Sequence, residues 1–326
     1  MNHNPKVSVI IPFKGENEHI HEALKYLSAV DYPEMEVILL PDAAFDMPPT
    51  ACQVMIVPTG SVGPGHKRDL ALPHASGEIL AFLDDDTYPE PDWLKNAVRY
   101  FEDPKVAAVG GPAVTPPGDT PRQRASGHVY TSLLGGGPYA YRYWPQAQRA
   151  VDDYPTCNLL VRRSVFEQIG GFDTTFWPGE DTKLCLDIIH LGLKILYVPD
   201  VVVYHHRREL FSGHLKQVRQ YAMHRGYFVK RFPETSLRPS YFLPTALVLG
   251  GFLGGLLAIF WKPFRKWFGL GAGVYAGVAV VSAAQATKKS NDLRQTPLVT
   301  AGIMVTHLIY GIWFIKGLFA NKLEEE

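Results

Sequence analysis

The sequence predicts an α/β domain with a mostly parallel sheet, followed by a helical region that spans a membrane. Short apolar segments alternate with amphipathic stretches as far as about residue 208, which is the pattern of strands joined by helical crossovers. Three acidic residues directly follow the apolar run Ile79–Leu83. After Tyr241 there are three apolar segments of about 20 residues, each long enough to span the roughly 30 Å hydrocarbon core of a bilayer.

The composition narrows the class of protein. With 326 residues, 46% of them apolar, the chain is large enough for more than one core. The formal net charge is zero, so we expect no nucleic-acid partner. Three cysteines without a CxxC pair favour a reducing compartment. The N-terminal residues lead straight into an apolar strand, so we expect no signal peptide. The sequence defines no oligomeric state.

The elements of the α/β domain follow from apolar runs and their boundaries. Short apolar runs ended by Pro, Gly or Asp indicate buried strands. These strands are predicted at residues 7–12, 36–40, 53–57, 79–83, 106–109, 158–163, 194–198 and 201–204. Helices are predicted at about 16–28, 66–75, 91–101, from Ser164 and from Asp181. Because parallel strands end at one edge of a sheet, Asp42 and Asp84 should lie on the same side.

Residues 112–154 break this pattern. Pro and Gly recur, and aromatic residues cluster at Tyr139, Tyr141, Tyr143 and Trp144. We therefore expect a long irregular loop, which in a compact domain is either functional or mobile. Its aromatic side chains would stack on a sugar ring, enter a membrane interface or fill a core, and the sequence does not choose among these.

The acidic triplet Asp84, Asp85 and Asp86 is the leading candidate for a metal site. Three adjacent like charges are unfavourable unless a cation neutralises them. Carboxylate oxygens suit Mg²⁺ or Mn²⁺, usually shared with substrate phosphates. The triplet follows a strand, and ligands of open α/β sheets bind at that edge. The alternative is a solvated acidic turn, which Pro89 and Pro91 would also suit.

Two later clusters have both functional and structural interpretations. Glu180 and Asp181 follow Gly179 at the start of a predicted helix, where the helix dipole alone favours acidic residues. Two histidines and two arginines, residues 205–208, follow a predicted strand. Such a pair of His and Arg suits a metal or a phosphate, although exposed His-Arg runs are also common on solvated surfaces.

The order of these motifs resembles the family 2 glycosyltransferases, which have the GT-A fold. The resemblance covers about residues 7–225 and rests on several spaced elements. They are the opening strand at 7–12, Asp42, Gly65 with Arg68-Asp69, Asp84-Asp85-Asp86 as the Asp-x-Asp motif, Gly170-Gly171-Phe172-Asp173 with Gly179-Glu180-Asp181, and Val198-Pro199 with Val203-Tyr204-His205. The chain departs from the family pattern at Lys14-Gly15, at Ala43-Ala44 and at Asp69, where the family has Asn.

The resemblance implies an inverting, metal-dependent transferase that uses a nucleotide sugar, with UDP the expected nucleotide. Asp86 would hold Mg²⁺ or Mn²⁺, and His205, preferred to His206, would complete the shell. Asp181 would take the proton of the acceptor hydroxyl. The same resemblance assigns donor binding to Pro12, Glu16, Asp42, Arg68, Asp84 and Asp85, acceptor binding to Glu180 and Trp177, and phosphate binding to Arg207 and Arg225, although Arg225 would also suit a plain interfacial anchor.

The change in composition near Tyr241 divides the chain. We predict a catalytic domain at 1–208, a basic amphipathic helix on the membrane surface at 209–240, and a membrane region at 241–326. Its apolar segments are 242–261, 267–286 and 298–320, and glycines in the first two suit close helix packing. A buried helical domain of a soluble protein is the alternative.

We expect a multi-pass protein of the plasma or inner membrane with a cytoplasmic catalytic domain. Attachment to a bilayer favours a lipid-linked acceptor, such as a polyprenyl-diphosphate glycan used for cell-surface polysaccharide or glycoconjugates. The positive-inside rule conflicts with three crossings, because residues 262–266 carry three positive charges and would lie outside. Either the rule is overridden or the first segment enters and returns.

Three other functions remain open at the level of sequence. A transferase onto polyprenyl phosphate needs no general base, because its acceptor is already an anion. A processive polysaccharide synthase is less well supported, since the Gln-x-x-Arg-Trp motif is absent and no Trp occurs between Trp177 and Trp261. A non-catalytic sensor of nucleotide sugars, bound to the membrane, would fit the departures at Lys14, Gly15 and Ala43.

Overall fold

The chain folds into two compact units. The structure, a computed structural model, describes residues 4–46, 50–172 and 174–323. Unit 1 comprises the described residues of 4–114 and 144–206, and unit 2 comprises 115–143 and 207–323. Residues 115–143 therefore fold with the C-terminal helices, whereas the sequence analysis grouped them with the catalytic domain. Asp173 of the predicted acceptor-side motif lies outside the described residues.

Unit 1 contains the described strands. They are β1 (Val7–Pro12), β2 (Met35–Leu40), β3 (Val54–Ile56), β4 (Ile79–Leu83), β5 (Thr87–Pro89), β6 (Val106–Gly110), β7 (Ala113–Val114), β8 (Arg149–Val151), β9 (Asn158–Arg162), β10 (Lys194–Tyr197) and β11 (Val203–His205). The larger sheet has the order β3-β2-β1-β4-β9-β6-β10-β8, and the smaller has β5-β11-β7. Strand β9 is antiparallel to β4 and β6, and β8 is antiparallel to β10, whereas the other pairs of the larger sheet are parallel. The predicted mostly parallel α/β fold is confirmed.

The helices complete both units. They are α1 (Glu18–Leu27), α2 (Pro64–Leu70), α3 (Trp93–Val98), α4 (Pro121–Thr131), α5 (Arg163–Ile169), α6 (Glu180–His190), α7 (Gly213–Arg231), α8 (Pro233–Ser236), α9 (Pro239–Phe260), α10 (Lys262–Lys289) and α11 (Thr296–Phe319), with 3-10 turns at Arg99–Glu102, Gly137–Arg142 and Leu293–Gln295. Helix α2 begins and ends earlier than the predicted 66–75. Pro64 is favoured in a first helical turn, which explains the earlier start.

The centre of the larger sheet forms the core of unit 1. Strands β1 and β4 pair in parallel with Val7 opposite Ile79, and every residue of both strands is buried. Burial on both faces explains why these strands are continuous apolar runs rather than alternating ones. The chain therefore leaves β2 and β4 at the same edge of the sheet, with Asp42 and Asp84 just beyond the two strand ends.

The expectation of an irregular loop over residues 112–154 was wrong in its centre. Thr120 caps α4: its hydroxyl accepts from the Gln123 backbone N–H at 3.3 Å, and the Gln123 side chain accepts from the Thr120 N–H at 3.0 Å. This capping box, with Pro121 in the first turn, starts a helix despite its polar composition. Among the aromatic residues, Tyr141 is buried and Tyr139 stacks on Tyr241 at 5.2 Å between ring centroids.

Helices α7 and α11 pack closely in unit 2. A Cβ atom on Gly226 would lie 2.2 Å from the Phe314 carbonyl oxygen, and one on Gly317 would lie 2.0 Å from the Met223 carbonyl oxygen. The two glycines therefore allow the helix backbones to approach. The buried residues of α7 include His214, Val218, Ala222 and Gly226, a stripe spaced four residues apart. Within the stretch 209–240 that was predicted as one amphipathic helix, α7 covers Gly213–Arg231, and α8 and the start of α9 follow it. The position of α7 on a membrane surface stays a prediction.

Within the described residues, three helices are long and apolar enough to cross a membrane: Pro239–Phe260, Lys262–Lys289 and the stretch Leu293–Phe319. The chain passes from α9 to α10 through the single residue Trp261, so the predicted loop at 262–266 is instead the first turn of α10. The Arg265 guanidinium donates to the carbonyl oxygens of Ala258 and Ile259 at 2.6 and 3.0 Å. Part of this positive charge thus binds the C-terminal carbonyls of α9.

Candidate active site

The carboxyl edge of β4 carries a cluster of metal-ligating groups. Asp84, Asp86 and His205 each offer one ligand atom, and these atoms all lie within 4.8 Å of one another. His205 Nε2 is 3.1 Å from Asp86 Oδ1. The three residues meet because β11, which ends at His205, pairs with β5, where Thr87 lies opposite His205.

The donors of this cluster fit a divalent metal ion. Two carboxylates and one imidazole suit Mn²⁺ and related ions, and two carboxylates alone suit Mg²⁺. The Asp86 side chain is 9% exposed, and a buried carboxylate needs a cation or hydrogen-bond donors to remain charged. Asp84 is 35% exposed, which leaves that side of the cluster accessible to a ligand from solution. Because its side chain is buried, Asp86 does not belong to a solvated acidic turn, which was the alternative interpretation of the triplet.

Arg68 links the triplet to the start of α6. Its side chain is 2% exposed and binds Asp84 Oδ1 at 2.8 Å and Glu180 Oε1 at 3.3 Å. Burial raises the pKa of Glu180, and the Arg68 guanidinium opposes that rise. The other Glu180 oxygen accepts the Gly179 backbone N–H at 3.0 Å. Glu180 therefore holds Arg68 in place, and its predicted contact with an acceptor stays a prediction.

Asp42 has a partner that the sequence analysis missed. The buried Lys67 ammonium donates to Asp42 Oδ1 at 2.6 Å and to the carbonyl oxygens of Phe13 and Leu40 at 2.8 and 3.1 Å. Lys67 thereby fixes the ends of β1 and β2 around the carboxylate that the resemblance assigns to the nucleotide base. The adjacent Arg68 was identified from sequence, but nothing in the local pattern distinguished Lys67 from a surface lysine.

Asp85 is held by a second residue that sequence reasoning missed. The Asn17 side-chain amide donates to Asp85 Oδ2 at 2.8 Å, while its oxygen caps α1 by accepting the Ile20 N–H at 2.9 Å. Burial and the neighbouring Asp86 raise the pKa of Asp85, and the Asn17 hydrogen bond lowers it. The N-cap preference of Asn was a usable signal for the start of α1, but not for its contact with Asp85.

Asp181 and Trp177 flank Glu180 on the chain. Asp181 is the second residue of α6, is half-buried, and accepts the Thr182 N–H at 2.8 Å. Trp177 is 52% exposed, which leaves its ring available to a ligand. The predicted helix start at Asp181 is confirmed within one residue, whereas the roles of Asp181 as base and Trp177 as acceptor contact stay predictions.

The remaining predicted residues have different surroundings. Pro12 ends β1 and is buried, and Glu16 is exposed and pairs with His21 at 2.9 Å. Arg207 and Arg225 belong to unit 2. There Arg207 donates to the Thr115 hydroxyl at 3.2 Å, and Arg225 donates to the Ser236 hydroxyl at 3.3 Å. Their predicted phosphate contacts stay predictions.

The mostly parallel sheet with an acidic cluster at its carboxyl edge agrees with the GT-A-like fold that the sequence predicts. A family model described as "Glycosyltransferase like family 2" matches residues 5–223. The match covers more than half of the chain, so the protein belongs to this family. The predicted family is therefore confirmed.

Several known proteins are similar to this chain. The pre-mycofactocin glycosyltransferase of Mycobacterium tuberculosis is 33% identical over 153 residues, which are 46% of this chain and 32% of that protein. The chain thus spans about a third of that relative's length. A Methanococcus voltae protein named dolichyl N-acetyl-alpha-D-glucosaminyl phosphate 3-beta-D-2,3-diacetamido-2,3-dideoxy-beta-D-glucuronosyltransferase is 23% identical over 270 residues, 78% of this chain and 80% of that protein.

A solved structure extends the likeness in fold to nearly the whole chain. The mannosyltransferase of Pyrobaculum calidifontis, solved in complex with GDP-Man and Mn²⁺, superposes with a TM-score of 0.64 and 23% sequence identity. The superposition covers 96% of this chain and 88% of that chain. At this level of identity the likeness supports the fold.

Proposed function

We propose that this protein is an inverting, metal-dependent glycosyltransferase. It moves a sugar from a nucleotide-sugar donor, with UDP the expected nucleotide, to a hydroxyl group of a lipid-linked glycan. The observation that carries the proposal is the cluster of Asp84, Asp86 and His205 within 4.8 Å at the carboxyl edge of β4. The family membership and the Mn²⁺ and GDP-Man in the Pyrobaculum enzyme support this reading of the cluster.

Each site residue has a task in the proposed reaction. Asp42, Arg68, Asp84 and Asp85 position the donor, with Pro12 and Glu16 beside it. Asp86 and His205 hold Mg²⁺ or Mn²⁺, which neutralises charge on the leaving diphosphate when bound. The bond between the anomeric carbon and the diphosphate oxygen breaks as the acceptor oxygen attacks from the opposite face. The hydroxyl proton passes to Asp181, and the nucleoside diphosphate leaves.

The acceptor is proposed from the helices of unit 2 and from the name of one relative. Helices α9, α10 and α11 are long and apolar enough to anchor the protein in a membrane, and we place unit 1 on the cytoplasmic side of a plasma or inner membrane. The name of the Methanococcus voltae relative specifies a dolichyl-linked sugar phosphate as its acceptor. A lipid-linked sugar is the corresponding acceptor class here, with Glu180 and Trp177 as its proposed contacts. Arg207 and Arg225 are proposed to bind phosphate.

A panel of nucleotide sugars tests the donor. The purified full-length protein in detergent is heated with UDP-, GDP- and dTDP-sugars, each with Mn²⁺ or with EDTA. The true donor should raise the melting temperature in Mn²⁺, because a ligand that binds the native state stabilises it. The matched control is Asp86→Asn, which should lose the shift. A shift that is equally large in EDTA would contradict the metal-dependent part of the proposal.

A product assay separates this function from its alternatives. Incubation with the identified donor and polyprenyl-linked sugar acceptors should give a new glycosidic bond of inverted configuration, seen by NMR of the product. A sugar attached directly to polyprenyl phosphate would favour the phosphate acceptor, which needs no base. Donor binding without transfer or hydrolysis would favour a sensor.

A further inference from the structure

A second cluster of metal-ligating groups lies outside the proposed donor site. His19, Glu22 and His206 each offer one ligand atom, and these atoms lie within 4.8 Å of one another. In the described part of the chain, this cluster and Asp84-Asp86-His205 are the groups of three or more such side chains. None of the three residues has a role in the proposed transfer reaction.

Two elements bring the three side chains together. His19 and Glu22 are three residues apart on α1, so they lie on one face of the helix. His206 follows the last residue of β11. Its Nε2 is 2.7 Å from Glu22 Oε2, and the His19 and His206 ring centroids are 4.7 Å apart.

The ligand atoms of this cluster favour a cation of intermediate softness, such as Zn²⁺, rather than a hard cation, such as Mg²⁺. Two imidazole nitrogens and one carboxylate suit Zn²⁺, which binds three protein ligands and a water in many sites, whereas Mg²⁺ prefers oxygen. Ligand atoms at about 2.0–2.2 Å from a tetrahedral zinc ion are about 3.3–3.6 Å apart. The hydrogen bond between Glu22 and His206 would open by less than about 1 Å as the ion replaces the shared proton.

The surroundings hold His206 in position and leave room for water. The His206 backbone N–H donates to the Asp86 carbonyl oxygen at 3.0 Å, and its ring lies 5.8 Å from the Tyr88 ring. The cluster opens into a pocket of about 500 Å³ that also borders His21 and Lys25. The Lys25 ammonium lies over the Tyr26 ring at 5.9 Å, an arrangement that cation–π attraction favours.

We propose that His19, Glu22 and His206 form a second cation site, of the zinc class, beside the donor-site metal. Because His206 follows His205 and bonds to the Asp86 backbone, an ion there fixes the chain segment that carries His205. The second ion would thus hold His205 and Asp86, the proposed ligands of the neighbouring metal, in position, as groups next to the ligands do in known metal centres.

Zinc titration of the full-length protein in detergent tests the site. The protein is stripped with EDTA, dialysed and titrated with Zn²⁺ in a calorimeter, in an Asp86→Asn background that disables the donor-site cluster. We expect one zinc ion per chain with micromolar affinity or tighter. Adding His19→Gln or Glu22→Gln should weaken binding at least about 10-fold. His21→Gln is the matched control, because His21 lies on the same helix but pairs with Glu16, and it should bind as the parent does.

A spectroscopic measurement keeps the test independent of any one variant's folding. Co²⁺ replacing Zn²⁺ in the otherwise wild-type protein should give the intense visible absorption of a four-coordinate site, and His19→Gln should lose it. Equal zinc affinity in His19→Gln and its parent, or binding at millimolar zinc alone, would overturn the proposal. Failure of the transferase proposal would instead appear as absence of sugar transfer from a nucleotide sugar, which this titration does not measure.

Discussion

Buried carboxylates at the two edges of the larger sheet have opposite pKa shifts. At the amino edge, Glu36 on β2 lies beside Ser8 on β1, and its side chain is 10% exposed. It accepts from the Ser8 hydroxyl at 2.6 Å and the Ser76 N–H at 2.7 Å, and pairs with Lys6 at 2.9 Å. Burial opposes ionisation, but these bonds prevail and lower its pKa to about 2.

At the carboxyl edge, the acidic side chains lie close to one another, and hydrogen-bond donors do not compensate their charge as they do at Glu36. Burial and the neighbouring carboxylates raise the pKa of Asp85, and burial raises the pKa of Glu180. The amino edge therefore contributes stability, whereas the carboxyl edge retains unfavourable charge that a bound cation and donor would relieve. This contrast distinguishes a structural carboxylate from a candidate functional one on the same sheet.

The largest expected effect comes from removing a carboxylate at the carboxyl edge. Asp86→Asn should lower the turnover number at least about 1,000-fold, because the proposed metal loses a charged ligand. The melting temperature without ligand should fall little, since the change also removes like-charge repulsion. Turnover is measured at saturating Mn²⁺ and donor, with Glu36→Gln as the comparison from the other edge. Near-normal turnover of Asp86→Asn would contradict the claim that the carboxylates at the carboxyl edge are functional.

A smaller loss is expected at the start of α6. Asp181→Asn should lower the turnover number by about 100-fold and leave donor affinity near that of the wild type, because a general base acts in the chemical step. Single-turnover kinetics and donor titration measure the two quantities. Asp187→Asn, on the same helix and paired with Lys183, is the control. If donor affinity falls in parallel with turnover, Asp181 binds substrate instead of accepting its proton.

At the amino edge the expected effect is on stability. Glu36→Gln should lower the free energy of unfolding by about 1–3 kcal/mol at pH 7, because the donors of Ser8, Ser76 and Lys6 lose their charged acceptor. The folded pKa of about 2 is below the ordinary value of 4.5, so this stabilisation is complete above pH 4.5 and is lost as the pH falls toward 2. Denaturant unfolding of both proteins between pH 3 and 7 should show the difference shrinking on acidification, and a constant difference would contradict it.

The sequence predicted those parts of the site that depend on local pattern. Buried apolar runs located β1, β2 and β4, and parallel pairing then placed Asp42 and Asp84 at one edge. The partners Lys67 and Asn17 were missed, because they contact Asp42 and Asp85 across 25 and 68 residues of chain. Such contacts depend on tertiary packing, which a local window does not contain.

Among the helices too, features that depend on local composition were predicted, and contacts between distant segments were not. The apolar segments after Tyr241 were located from composition alone, since about 20 apolar residues suffice to predict a spanning helix. Helix α4 was missed because its composition is polar, although the capping box of Thr120 and Gln123 was a readable signal. The partner of α7 was not predictable, because Gly226 and Gly317, at which the backbones of α7 and α11 approach, are 91 positions apart in the sequence.

The smallest expected effect is a change in the free energy of unfolding whose sign is opposite to that expected for Glu36→Gln. Asp85→Asn should raise the free energy of unfolding by about 0.5–1 kcal/mol in EDTA, because it removes a buried charge beside Asp86 while the new side-chain oxygen still accepts from Asn17. The raised folded pKa lies above the ordinary 3.8, so wild-type Asp85 costs little below pH 3.8 and destabilises increasingly as the pH rises through its folded pKa. The advantage of the variant should therefore grow with pH, opposite to the trend at Glu36, and Mn²⁺ with donor should reduce it. Denaturant unfolding at pH 4 and 7, with and without the ligands, measures both trends. Destabilisation by Asp85→Asn at pH 7 in EDTA would mean that the carboxyl edge is as well compensated as the amino edge.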